Sequence, residues 1–120
     1  TRRSSDLFVA LGEKDKEKAD NARIRDCIAS LMDITEAAGR TREALDWAGQ
    51  FAHYLTKDTP EYTALDYRVA RLHRKLGDLG EWRRILDGII AKEPDSVYGK
   101  MAASELRTYD VTRGASSFTN

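Results

Sequence analysis

The sequence predicts an all-α protein made of antiparallel helical hairpins. Three observations predict it: apolar residues recur at spacings of three and four, glycines and capping residues punctuate those runs at short intervals, and no strand-like alternation separates them. The 120 residues suit one domain, whose folding buries about two thirds of the unfolded chain's surface. With 41% hydrophobic and 33% charged residues and two prolines, the composition is globular, and disorder is expected only at the ends.

The first stripe, Ile24, Cys27, Ile28, Leu31, Ile34 and Ala38, describes one helix face, with Cys27 expected as a buried thiol. Gly39 stops that helix, and Thr41 is expected to cap the next, whose stripe is Ala44, Leu45, Ala48, Phe51, Ala52 and Leu55. So short a connection forces the two helices antiparallel. Thr59-Pro60-Glu61 then reads as cap, first helical residue and first-turn acid, opening a helix with Tyr62, Leu65, Val69, Leu72 and Leu76. Gly77 closes it. Asp78 and Glu81 resemble a capping box ahead of Leu79, Trp82, Leu86, Ile89 and Ile90. Pro94 breaks the run, and Asp95-Ser96 is expected to cap a last helix bearing Tyr98, Met101, Ala102, Leu106 and Tyr109. The expected organisation is therefore an N-terminal segment 1–20, with a short helix from Asp6 to Leu11 and a charged stretch from Glu13 to Lys18. A domain at 21–109 follows, with hairpins 22–57 and 60–93 and a closing helix 95–109, and then a disordered tail 110–120.

Gly39 and Gly77 stand 38 residues apart (77 − 39), each in the turn of a hairpin, which makes the chain an internal repeat. The second copy, from Leu76-Gly77-Asp78-Leu79-Gly80-Glu81-Trp82 through Leu86, Ile89, Ile90 and Glu93-Pro94-Asp95, resembles the second half of a tetratricopeptide repeat. The first copy resembles it through Gly39, Ala44, Ala48, Phe51 and Pro60. That family repeats about every 34 residues, so the four extra here fall around Phe51 to Asp58. Ile28 and Asp66 stand where the family carries an aromatic, Trp82 stands where it carries a small residue, and other helical-hairpin repeats share the same signals. Pro94-Asp95-Ser96 before Lys100-Met101-Ala102-Ala103 is also similar to the closing helix of repeat proteins from bacterial cell envelopes. The resemblance implies a right-handed superhelical stack with a concave groove lined by the first helix of each pair, and a scaffold that binds a peptide or partner helix there. A stack needs about three units to cover its own faces. Two hairpins and a closing helix therefore predict either a longer array whose upstream repeats have been cut away or a homodimer through an uncovered face; the start at Thr1 rather than Met fits an excised segment or a mature form whose targeting sequence is gone.

Arg68, Arg71, Arg74 and Lys75, with Tyr67 among them, share most of one face of the helix Pro60 to Leu76. In the implied fold that face lines the groove, where guanidinium groups would take an acidic peptide or terminal carboxylate in bidentate fashion. The alternative is internal pairing, because Asp26, Asp33 and Glu36 occupy the corresponding face of the preceding helix. Trp47 and Tyr54, seven apart and off the main stripe, are either binding anchors or packing for the next helix. If no ligand is bound, the chain is instead a structural or oligomerisation module of a larger repeat protein.

Other function classes lack their residues. The 20 basic and 20 acidic residues cancel, giving no field that draws the whole chain to nucleic acid, although Arg68, Arg71, Arg74, Lys75, Arg83 and Arg84 gather with His73 in one stretch. His53 and His73 have no partner at ligand or catalytic spacing, Glu13 and Asp15 lie in a solvated charge run, and there is no glycine-rich phosphate loop, serine elbow or cysteine pair. No enzyme and no cofactor are expected. No run approaches the ~18 apolar residues of a membrane span, and the compartment is not legible.

Overall fold

A computed structural model describes the backbone of residues 2–119 and the side chains of residues 16–112. Five helices follow one another: α1 (Arg2–Ala37), α2 (Thr41–Ala52), α3 (Pro60–Lys75), α4 (Leu79–Lys92) and α5 (Val97–Thr119). The all-α reading holds, with no strand among the described residues. α1 pairs with α2 and α3 with α4, α2 and α4 bridge to the next helix in line, and α5 closes against α4 and α3.

The turns form as their residues dictate. Gly39 and Gly77 adopt φ of 78° and 82°, the left-handed region that costs glycine least. Each closes its helix in the same way: Arg40 N–H donates to Thr35 O (2.8 Å) and Gly39 N–H to Glu36 O (3.0 Å), while Asp78 N–H donates to His73 O (2.9 Å) and Gly77 N–H to Arg74 O (3.0 Å). Thr59 caps α3 by accepting from Tyr62 N–H at 3.3 Å, with Pro60 at the first position. Ser96 caps α5, accepting from Gly99 N–H at 3.0 Å. Asp78 accepts from Glu81 N–H, but the reciprocal half of the box does not form, because Asp78 N–H already serves the turn. Thr41 does not cap α2. The glycine turn puts Arg40 in the cap position, without a side-chain bond, and Thr41 is already inside the helix.

Three expectations about extent and facing change. α1 runs unbroken through Gly12 and the charged stretch, where the short helix was expected to end. A single interior glycine costs a helix only about 1 kcal/mol. The tail expected to be disordered continues α5 to Thr119. Thr108 and Thr112 fit within it by returning their hydroxyls to the carbonyls of Ser104 (2.9 Å) and Thr108 (2.8 Å). On α1 the residues turned to the core are Ile28, Met32 and Thr35, whereas Ile24, Cys27, Leu31 and Ile34 are exposed, so the Cys27 thiol is not buried. α1 has apolar residues on two adjoining faces, and α2 packs against one of them. The buried Thr35 hydroxyl is satisfied by Leu31 O (2.7 Å) and Met32 O (3.0 Å).

The core comprises two clusters. Met32, Ala48 and Leu65 join α1, α2 and α3, with Trp47, Phe51, Leu55 and Val69 against them. Ala70, Trp82, Leu86, Ile89, Ala102 and Leu106 join α3, α4 and α5, with Tyr67, Tyr98 and Tyr109 at the edge. Trp47 is thus packing, while Tyr54 remains exposed. Trp82, with no exposed surface, is the largest fully buried side chain and takes Tyr109 edge-on at 5.1 Å.

Candidate functional site

Helical spacing sets Tyr67, Arg71 and Arg74 along one line of α3, with Arg68 and Lys75 turned toward α1. Tyr67, Arg71, Arg74 and Lys75 line a surface hollow of 590 Å³ with Glu105 of α5. A second hollow of 450 Å³, sharing Tyr67 and Glu105, continues it over Lys100, Met101 and Ser104. The two make one groove along α3 and α5.

Two carboxylate hubs flank the groove. On the α1 side, Arg68 Nη2 donates to Asp33 Oδ1 (2.5 Å), and its Nε and Nη2 both donate to Glu36 Oε2 (3.0 and 2.7 Å). Lys75 Nζ donates to Glu36 Oε1 at 2.9 Å. Burial opposes the charge on Glu36, but the hydrogen bonds from Lys75 and Arg68 outweigh it and hold the carboxyl below the ordinary glutamate range. The same contacts raise the Arg68 pKa against its own burial.

On the α5 side, Glu105 Oε2 accepts from the Tyr67 hydroxyl (2.7 Å), and Oε1 accepts from Trp82 Nε1 (3.1 Å) and Arg74 Nη1 (3.0 Å). Burial opposes ionisation here too and is again overcome, this time by Tyr67, Trp82 and Arg74, which hold Glu105 below its ordinary value. Burial and the bond to Glu105 push the Tyr67 phenol up. Arg74 also lies over the Trp82 ring, 4.9 Å from its centroid.

The structure therefore brings all five predicted residues together but occupies three of the four cations internally. Asp33 and Glu36 pair as the alternative reading required; Asp26 makes no such pair among the described residues. Arg71 alone of the four is exposed and in no ion pair among the described residues. Glu105 escaped the sequence reading. Its signal was a lone acid at the four-three-four spacing Tyr98, Ala102, Glu105, Tyr109, on an otherwise apolar stripe where a carboxylate must find donors.

A third hollow of 480 Å³ lies between α3 and α4, where burial raises the pKa of Asp66 while Asp58–Lys92 and Glu81–Arg84 pair beside it. His73 Nδ1 is enclosed there 3.5 Å from Asp78 Oδ2, without a hydrogen bond. Among the described residues no group of His, Cys, Asp and Glu is arranged to hold a metal ion, and no helix is long and apolar enough to cross a membrane. Comparison of the chain with protein-family models, with curated proteins and with solved structures finds no match in any of the three.

Proposed function

We propose that this chain is a non-catalytic protein-interaction scaffold of tetratricopeptide-like build, whose groove along α3 and α5 takes an acidic peptide or partner helix. The observation that carries this reading is Arg71, a guanidinium with no ion-pair partner among the described residues, set between two satisfied hubs in a continuous groove. The hubs support it further. Arg68, Arg74 and Lys75 are held in place by carboxylates they already neutralise, so they shape the groove while Arg71 supplies the free charge. Tyr67 and Met101 offer amphipathic and apolar contact beside it.

The test is fluorescence anisotropy of a panel of acidic peptides against wild type and Arg71→Glu. Loss of binding in the variant, with thermal stability unchanged because Arg71 is exposed, supports the groove. Equal affinity in both, or no peptide bound by the wild type, rejects it.

One observation favours the structural or oligomerisation reading. Pairing within the chain has neutralised most of the groove, while an apolar stripe on α1 lies bare.

A further inference from the structure

α3 carries a second line of residues, Tyr62, Asp66, Val69 and His73, on a different side of the helix from Tyr67, Arg71 and Arg74. Together with α4 this line encloses the hollow of 480 Å³, a volume within the ~300–1,000 Å³ of small-ligand pockets. Gly88 keeps the hollow open. Glycine inside a helix costs about 1 kcal/mol relative to alanine, yet here φ is not positive and a Cβ would meet nothing within 4 Å. Neither backbone conformation nor close packing therefore calls for glycine, and a side chain at this position would enter free space.

The lining joins apolar surface to unbalanced charge. Val69, Ile85 and Ile89 supply the apolar part. Besides His73, the hollow has four carboxylates, Asp58, Asp66, Glu81 and Glu93, against the two cations Arg84 and Lys92. Both cations are taken. Lys92 pairs with Asp58, and Arg84 donates twice to Glu81, at 2.9 and 2.7 Å. His73 has Asp78 as its nearest carboxylate, at 3.5 Å. Asp66 and Glu93 are left in no ion pair among the described residues. Asp66 is the more confined of the two. It is half-buried and has no hydrogen-bond donor, so burial raises its pKa while Lys92 and Arg84 attract it only from a distance.

An anion entering this hollow would meet an excess of like charge, and a neutral apolar group would leave Asp66 without a donor. A cation on an apolar stem satisfies both parts of the lining. Its head supplies the counter-charge to Asp66 and its methylenes cover Val69, Ile85 and Ile89. We infer that the hollow between α3 and α4 is a binding site for a lysine or arginine side chain of a partner peptide, with Asp66 accepting from its ammonium or guanidinium group. The site is separate from the groove along α3 and α5, and neither depends on the other. Asp66 opposes folding when empty-handed, as a residue kept for binding rather than for stability does.

The test is a ¹H–¹⁵N NMR titration of the full chain with the N-acetyl, N-methylamide forms of lysine, arginine, norleucine and glutamic acid. The lysine or arginine probe is expected to shift the amides of Thr63, Asp66 and Gly88 saturably, and to bind at least about tenfold more tightly than norleucine. Asp66→Asn, which keeps shape but not charge, is expected to remove that tenfold preference. Gly88→Leu fills the hollow and should abolish the shifts while the circular dichroism stays helical. No saturable shift with either basic probe, equal affinity for norleucine or glutamic acid, or full binding in Asp66→Asn or Gly88→Leu overturns the inference.

Discussion

Replacing Glu105 by Ala tests the reading of the α5 hub most sharply. The Glu105 side chain is 15% exposed and accepts from three donors on two other helices. Trp82 is fully enclosed, so its Nε1–H loses its partner with no water to replace it, at a cost of about 1–3 kcal/mol. Tyr67 is only half-buried and recovers part of its bond from solvent. Arg74, 44% exposed, contributes as a surface pair does, below about 1 kcal/mol. Together these give a loss of about 2–3 kcal/mol, or about 8–12 °C in Tm at roughly 4 °C per kcal/mol for a domain of this size. Glu105→Gln keeps one acceptor in place and loses less than half as much. Thermal and urea unfolding at neutral pH read both variants. A Tyr67→Phe cycle should show coupling of about 1 kcal/mol with Glu105→Ala. A Tm change below about 4 °C for Glu105→Ala, with no coupling to Tyr67, would refute the hub as a determinant of how α5 docks.

Other predictions follow from the same geometry. Glu36 and Glu105 have folded pKa values below the ordinary 4.5, so their stabilisation is full above that pH and is lost as the pH falls through the folded values. Acid titration of Tm should therefore show a drop beginning near pH 4.5 that is reduced in Arg68→Ala. Asp66 has the opposite sign, because burial raises it above the ordinary 3.8 and its ionised form opposes folding. Asp66→Asn should raise Tm at pH 7, with the gain disappearing in acid. A Cβ at Gly99 would overlap the Glu93 carbonyl oxygen, so Gly99→Ala should cost about 2 kcal/mol or more by forcing the first turn of α5 away from the Glu93-Pro94 backbone. At Gly88, in an open stretch of α4 where a Cβ meets nothing, the same change should stabilise by about 0.5–1 kcal/mol. Urea midpoints compare the two glycine variants directly.

The residues alone determined most of the features that close within four or five positions along the chain. Gly39, Gly77, Thr59 with Pro60, and Ser96 end or start helices through bonds to residues close in sequence, and the number and order of hairpins followed from them. The five residues of the candidate groove were legible for the same reason, since helical spacing alone puts them on neighbouring lines of α3. Local rules failed where two neighbours compete for one group. Thr41 lost the cap to the turn before it, and the charged stretch after Gly12 continued a helix instead of ending one.

Only the tertiary structure decided which faces meet. The apolar residues of α1 fill two adjoining faces, and the packing of α2 against Ile28 and Met32 buried one and left Ile24, Leu31 and Ile34 in solvent. The state of the basic cluster was decided across separations of 31 to 39 residues, Arg74 with Glu105 and Lys75 with Glu36. Coulomb attraction and desolvation depend on distance and burial rather than on order along the chain. The sequence therefore named the cations, and the arrangement of the helices paired Arg68, Arg74 and Lys75 and left Arg71 in no ion pair among the described residues.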